Sequence, residues 1–109
     1  MPSDYATWKL TPNKNPHHLY EIRDSLDDEV YKYGISDDPI GEDGLSSRVR
    51  KQLTLFNLVA NFIRFVGRIL IRDIPGRAEA KRLEEEFIKK HENTFGKRPR
   101  GNPGKDRKG

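Results

Sequence analysis

Apolar residues recur along this chain at two different spacings. HLYEIRD (18–24) and EVYKYGIS (29–36) are short, rich in β-branched and aromatic residues, and joined by the polar turn SLDD. That pattern predicts a β-hairpin. From Leu45 to about Phe56 the spacing turns helical, with Leu45, Val49, Gln52, Phe56 and Val59 on one arc. FIRFVGRILIRD (62–73) reads as a third strand, in which Arg68, Leu70 and Arg72 alternate with Ile69, Ile71 and Asp73. Pro75-Gly76 ends it, and a second helix is expected from about 77 to 92. Ala80, Leu83, Phe87 and Ile88 form its apolar arc at about 100° per residue. The order β-β-α-β-α predicts a small α/β (α+β) layer structure, with helices flanking a three-stranded, mainly antiparallel sheet. Residues 1–16, with Pro2, Pro12 and Pro16, read as an irregular arm. Residues 17–102 form the domain, and 103–109 a basic tail expected to be poorly ordered.

Several polar residues interrupt this pattern. Glu84 falls in the middle of the second helix's apolar arc, while Glu85 and Glu86 point elsewhere, towards water. A carboxylate turned inward costs several kcal/mol unless a cation, a metal or hydrogen bonds compensate it. An ion pair with Arg48 is one solution and a bound metal another. Arg48 lies at the edge of the first helix's apolar arc, beside Gln52, and Arg50 faces the other way. A guanidinium next to a partly buried amide suits phosphate recognition. Tyr20 and Tyr33 lie in the hairpin, where aromatics are usually core or cross-strand pairs. Lys32 sits beside Tyr33 in an otherwise acidic region, a position that can attract phosphate or depress a tyrosine pKa. For Tyr20 and Lys32 to share a face, the hairpin needs an odd loop or a bulge, because side chains alternate along strands. His17 and His18 are expected to precede the first strand, without the further ligands a zinc site needs. His91 shares Glu84's arc and either nears the same site or caps the helix.

Composition narrows the classes. At 109 residues the chain suits one small domain. It has no cysteine, so disulfides and thiolate zinc sites are excluded. No apolar run is long enough to span a membrane, and MPSDYATWKL carries no signal-peptide pattern. The net charge of +4 is unevenly spread. Residues 24–43 hold eight acids against Lys32, whereas 97–109 hold six bases against Asp106. A basic end and scattered arginines point to a polyanion such as nucleic acid, with a solubilising tail as the plainer alternative.

The order of these stretches is more specific than any one of them. HLYEI, KYGIS, SSRVRKQ, an Ala-x3-Glu helix and GKRPRGN together resemble the GIY-YIG (URI) nuclease superfamily over residues 17–102. His18-Leu19-Tyr20 matches the first-strand triplet and Lys32-Tyr33-Gly34 the second. Arg48 matches the first-helix arginine, Glu84 the metal-binding glutamate and Asn102 the terminal asparagine. His18 stands where the family has glycine, and Lys32 where it has tyrosine, as in the superfamily's lysine-bearing branch. The whole set looks like the URI-type toxin domains at the C-termini of bacterial polymorphic toxins.

The resemblance implies phosphodiester hydrolysis in DNA, with RNA left open, using one Mg²⁺ or Mn²⁺ held by Glu84. Tyr20 would orient or deprotonate the attacking water, helped by Lys32. Arg48 would stabilise the phosphorane. Asn102 would fix the loop after the last helix or touch the metal's outer shell. His18 is a candidate acid or base beside Tyr20, and Tyr33 shares the tyrosine role. The same resemblance implies a monomer neutralised by an immunity protein. It would be delivered as part of a larger toxin and act in the target cell's cytoplasm. A non-catalytic nucleic-acid-binding module, with Arg48–Glu84 as a structural pair, and a restriction, phage or housekeeping nuclease are the competing readings.

Overall fold

The hairpin forms as the alternation demands. In the computed structural model, which describes residues 14–104, β1 (Pro16–Asp24) and β2 (Glu29–Ser36) pair antiparallel. Residues 1–13 of the expected arm and 105–109 of the tail lie outside the described residues. β3 (Phe65–Pro75) pairs antiparallel with the other side of β1, giving the sheet order β2-β1-β3. The helices are α1 (Ser47–Ala60) and α2 (Arg77–Phe95). The element order is β-β-α-β-α, as the patterning predicts. No helix among the described residues is long and apolar enough to cross a membrane.

Each helix covers one face of the sheet. Leu19, Tyr33 and Ile74 pack with Ala80 and Ile88 of α2, joined by Leu83 and Phe87, so the arc expected for this helix is its buried face. Tyr20, Ile22 and Phe65 pack with Val49 of α1 on the other face. Here Leu45, Val49 and Phe56 of the expected arc are in the core, and Leu53 and Ala60 replace Gln52 and Val59. Val59 is 79% exposed.

α1 starts at Ser46, whose hydroxyl accepts from the Val49 N–H, and ends at Asn61 in the left-handed conformation. α2 follows Gly76 and ends at Gly96, also left-handed, a conformation in which a side chain is strained. His91 lies on the buried side of α2, and its Nδ1 bonds the Lys97 carbonyl at 3.0 Å. Of the two roles open to it, it takes the helix-end one.

Residues 98–102 return to the open edge of β2. Gly101 N–H donates to the Tyr31 carbonyl at 2.7 Å. The Asn102 side chain accepts from the Tyr33 N–H at 2.7 Å and donates to its carbonyl at 2.9 Å. An edge strand otherwise offers unpaired backbone groups to any other chain. Arg100 reaches across to Asp24 at 2.8 Å, and its guanidinium lies over the Tyr31 ring. Part of the basic C-terminal run is therefore committed within the domain. Arg98 also bonds the Asn102 carbonyl, at 2.8 Å.

Candidate active site

One irregularity in the hairpin decides which side chains meet. Tyr20 pairs with Gly34 and Ile22 with Lys32, but Arg23 pairs with Val30, so Tyr31 is an extra residue in β2. This is the bulge that the sequence required. It lets Tyr31 pack into the α1-side core while Lys32, the next residue, also faces that side. Tyr20, Lys32 and Gly34 then share one face.

A cleft of about 340 Å³ opens there. Tyr20, Lys32, Arg48 and Glu84 line it together, bringing β1, β2, α1 and α2 to one place. Tyr20 is 1% exposed. Arg48 and Gln52 stand in hydrogen-bonding positions to its phenol and pull the pKa down, but burial outweighs them and the net shift is upward. Tyr20 is thus a neutral hydroxyl at neutral pH. Lys32 donates to Gln52 Oε1 at 3.2 Å. Burial lowers its pKa, Arg48 nearby adds to the shift, and Glu84 opposes both. Glu84 is 12% exposed at the side chain and lies 3.4 Å from Lys81 Nζ. Among the described residues, no ion pair joins Arg48 to Glu84.

The other expected site residues are placed differently. Tyr33 points to the opposite face, where its ring meets Phe87 at 5.5 Å and burial raises its pKa. It is one residue from Lys32, so strand alternation sends it into the α2-side core rather than the cleft. His18 borders the neighbouring cleft. Its Nε2 shares a 3.1 Å hydrogen bond with the Ser46 hydroxyl at the α1 N-cap, and burial lowers its pKa. His18 therefore anchors the start of the helix that carries Arg48. Asn102 clamps the β2 backbone at Tyr33, beside Lys32, which is the loop-fixing half of its expected role.

The cleft also contains residues that the sequence analysis left unassigned. Arg77 and Lys81 from α2 line it with Asp38, and so does His17. Arg77, Lys81 and Glu84 are spaced i, i+4, i+7, which puts them on one helical stripe. That spacing is visible in the sequence but was overshadowed by the apolar arc. His17 had no such signal, because strand alternation does not predict the irregularities on either side of Leu19.

A family model for URI fold toxin 2 matches residues 10–96, most of the chain. The chain belongs to the URI fold toxin 2 family. Comparison with curated proteins and with solved structures gives no match. Every cleft residue of this URI toxin domain named here lies inside the matched span, whereas Asn102 follows it. The toxin domain thus assembles three carboxylates (Asp37, Asp38 and Glu84), one phenol and several cations around a single opening, where an anionic ligand has partners of both hydrogen-bonding and charged type.

Proposed function

We propose that this URI toxin domain is a metal-dependent endonuclease that hydrolyses phosphodiester bonds in DNA. The observation that carries the reading is the convergence of Tyr20, Lys32, Arg48 and Glu84 on one cleft. The binding-module alternative relied on an Arg48–Glu84 pair, and the ion pair Glu84 makes is instead with the half-exposed Lys81. The toxin family favours an effector over a housekeeping enzyme. Its activity in a target cell's cytoplasm, delivery within a larger toxin, and restraint by an immunity protein belong to the same proposal.

The donor set fits one hard dication. Among the described residues, no three His, Asp or Glu side chains converge as a closed metal cage. Mg²⁺ is commonly held by one or two carboxylates with waters and substrate phosphates completing the shell, and Mn²⁺ accepts the same ligands. Glu84 would hold the ion. When bound, it supplies charge neutralisation at the phosphate and the leaving oxygen.

The chain's own residues perform the remaining tasks. Arg48 at the rim binds a non-bridging phosphate oxygen and stabilises the charge that grows there. Lys32, held by Gln52, adds a second cation from the sheet. Tyr20, neutral and buried, orients a water or a phosphate oxygen with its hydroxyl. Its ring lies directly over Gly34, where any Cβ would collide with the phenol. Gly34→Ala is therefore expected to displace the Tyr20 hydroxyl and slow cleavage by about 100-fold, since small misplacements cost that much. A nicking time course, with circular dichroism to confirm the fold, measures it.

The direct test of the proposal is conversion of supercoiled plasmid to nicked and linear forms with and without Mg²⁺. Cleavage that requires the ion supports it. Binding without cleavage under all divalent cations overturns it. Duplex approach is expected from the helix and C-terminal side, although Asp37 and Asp38 of the acidic 24–43 stretch line the cleft itself. Removing residues 103–109 deletes Lys105, Arg107 and Lys108. Each lost phosphate contact lowers the salt slope of DNA binding by about 0.9. The truncated chain should show a shallower slope with an unchanged single-turnover rate, measured by fluorescence anisotropy across salt concentrations.

A further inference from the structure

The site as described gives Tyr20 an orienting role and Lys32 and Arg48 the positive charge, and assigns no proton acceptor. His18 is tied to Ser46 and borders the neighbouring cleft. The structure offers one more imidazole. His17 lines the cleft with Tyr20, Lys32, Arg48 and Glu84. It is 3% exposed overall. Its Nδ1 lies 2.6 Å from the backbone carbonyl oxygen of Asn15. A carbonyl only accepts, so Nδ1 carries the proton and donates. In the neutral ring, Nε2 is then the acceptor with a free lone pair. No buried side-chain nitrogen or oxygen among the described residues lacks a partner. Among the described residues Nε2 has no hydrogen-bond partner, so it is not a fully buried atom. A histidine whose second nitrogen is pinned by a backbone carbonyl has a defined tautomer and ring orientation, as a proton-accepting group needs.

We propose that His17 is the general base of this nuclease, an assignment that rests on the endonuclease reading above. Nε2 takes a proton from water as the water oxygen bonds to phosphorus. The bond from phosphorus to the leaving oxygen breaks, and that oxygen keeps the electron pair and takes a proton from solvent. His17 then returns its proton to solvent. The products are a phosphomonoester and an alcohol. Asn15 is a positioning residue through its backbone carbonyl. Tyr20 and His17, on one strand, divide the work: Tyr20 orients the water and His17 takes its proton.

The test is steady-state plasmid nicking by wild type, His17→Gln and His17→Ala, with and without added imidazole. Glutamine retains a donor for the Asn15 carbonyl but offers no basic nitrogen. The expected result is a kcat lowered about 100-fold with KM unchanged. Imidazole should restore part of the His17→Ala rate and leave Glu84→Gln inactive. Thermal unfolding of His17→Gln close to wild type separates chemistry from folding. Wild-type rates in His17→Gln, or no imidazole rescue of a folded His17→Ala, would overturn the role of His17 while leaving the nuclease intact. A wild-type chain that never cleaves overturns the nuclease reading and this role together.

Discussion

Replacing Glu84 by glutamine is expected to lower plasmid cleavage by about 1,000-fold or more, the scale of losing the group that holds a catalytic charge. Glutamine has nearly the same shape, and its amide oxygen still accepts a hydrogen bond from Lys81. The lost quantity is the negative charge. The Lys81–Glu84 pair is an i,i+3 contact whose lysine is half exposed, so its contribution to stability is small. Glu84→Gln should therefore unfold within about 0.5 kcal/mol of wild type. Loss of cleavage without loss of stability points to the site rather than to the scaffold. Arg50→Gln is the matching control, because Arg50 is exposed and pairs with Asp43 outside the cleft. It should cleave at the wild-type rate. Full activity in Glu84→Gln would remove the carboxylate from the mechanism.

Asp24→Asn is expected to give the largest loss of stability, about 3 kcal/mol. Asp24 has no solvent exposure. Arg64 grips it with Nε at 2.9 Å and a terminal nitrogen at 2.7 Å, Arg100 adds a contact at 2.8 Å, and the Leu26 N–H adds another at 3.0 Å. Removing one member of a buried charge network costs about 3–5 kcal/mol. Both arginines are partly exposed and regain water, which puts the cost near the lower end. Urea unfolding at neutral pH measures it.

The same carboxylate predicts how stability responds to acid. Arg64's hydrogen bond is the main cause holding the Asp24 pKa far below the usual range, with Arg100 and the Leu26 N–H adding to it and burial opposing. The folded pKa is depressed, so this contribution is fully present above the unfolded value of about 3.9. It is lost as pH falls from about 5 towards the folded pKa. In Asp24→Asn the acid limb should be flatter, and an unchanged limb would show that other carboxylates dominate. The network also ties β1, the residue before β3 and the C-terminal return together. Loosening it should free the Asn102 clamp beside Lys32, giving this variant a secondary fall in cleavage.

Much of the fold was legible because each element carries its own periodicity. The hairpin, with its SLDD turn, lies where the alternation put it, and the Ala80, Leu83, Phe87 and Ile88 arc is buried. Glu84 was conspicuous for a local reason, as a carboxylate inside an apolar stripe. The need for a bulge followed from requiring Tyr20 and Lys32 on one face. Tyr33 was misassigned because a motif match ignores the period of two, which sends neighbours to opposite faces. His17 lines the cleft and His18 borders the neighbouring one for a related reason. The strand is irregular around Leu19, and irregularities re-aim side chains without any signal in the hydrophobic pattern.

By itself, the sequence determined the element order, the buried face of α2, the family and one inward-turned carboxylate, Glu84. These depend on neighbours within a few residues, where helix and strand geometry relate spacing to direction. Only the tertiary structure decided that Lys32 meets Gln52, that Arg100 closes on Asp24 from the far end of the chain, and that His17 joins the cleft. Those contacts bring together residues from separate elements. Their partners are chosen by packing and register, which no local pattern encodes.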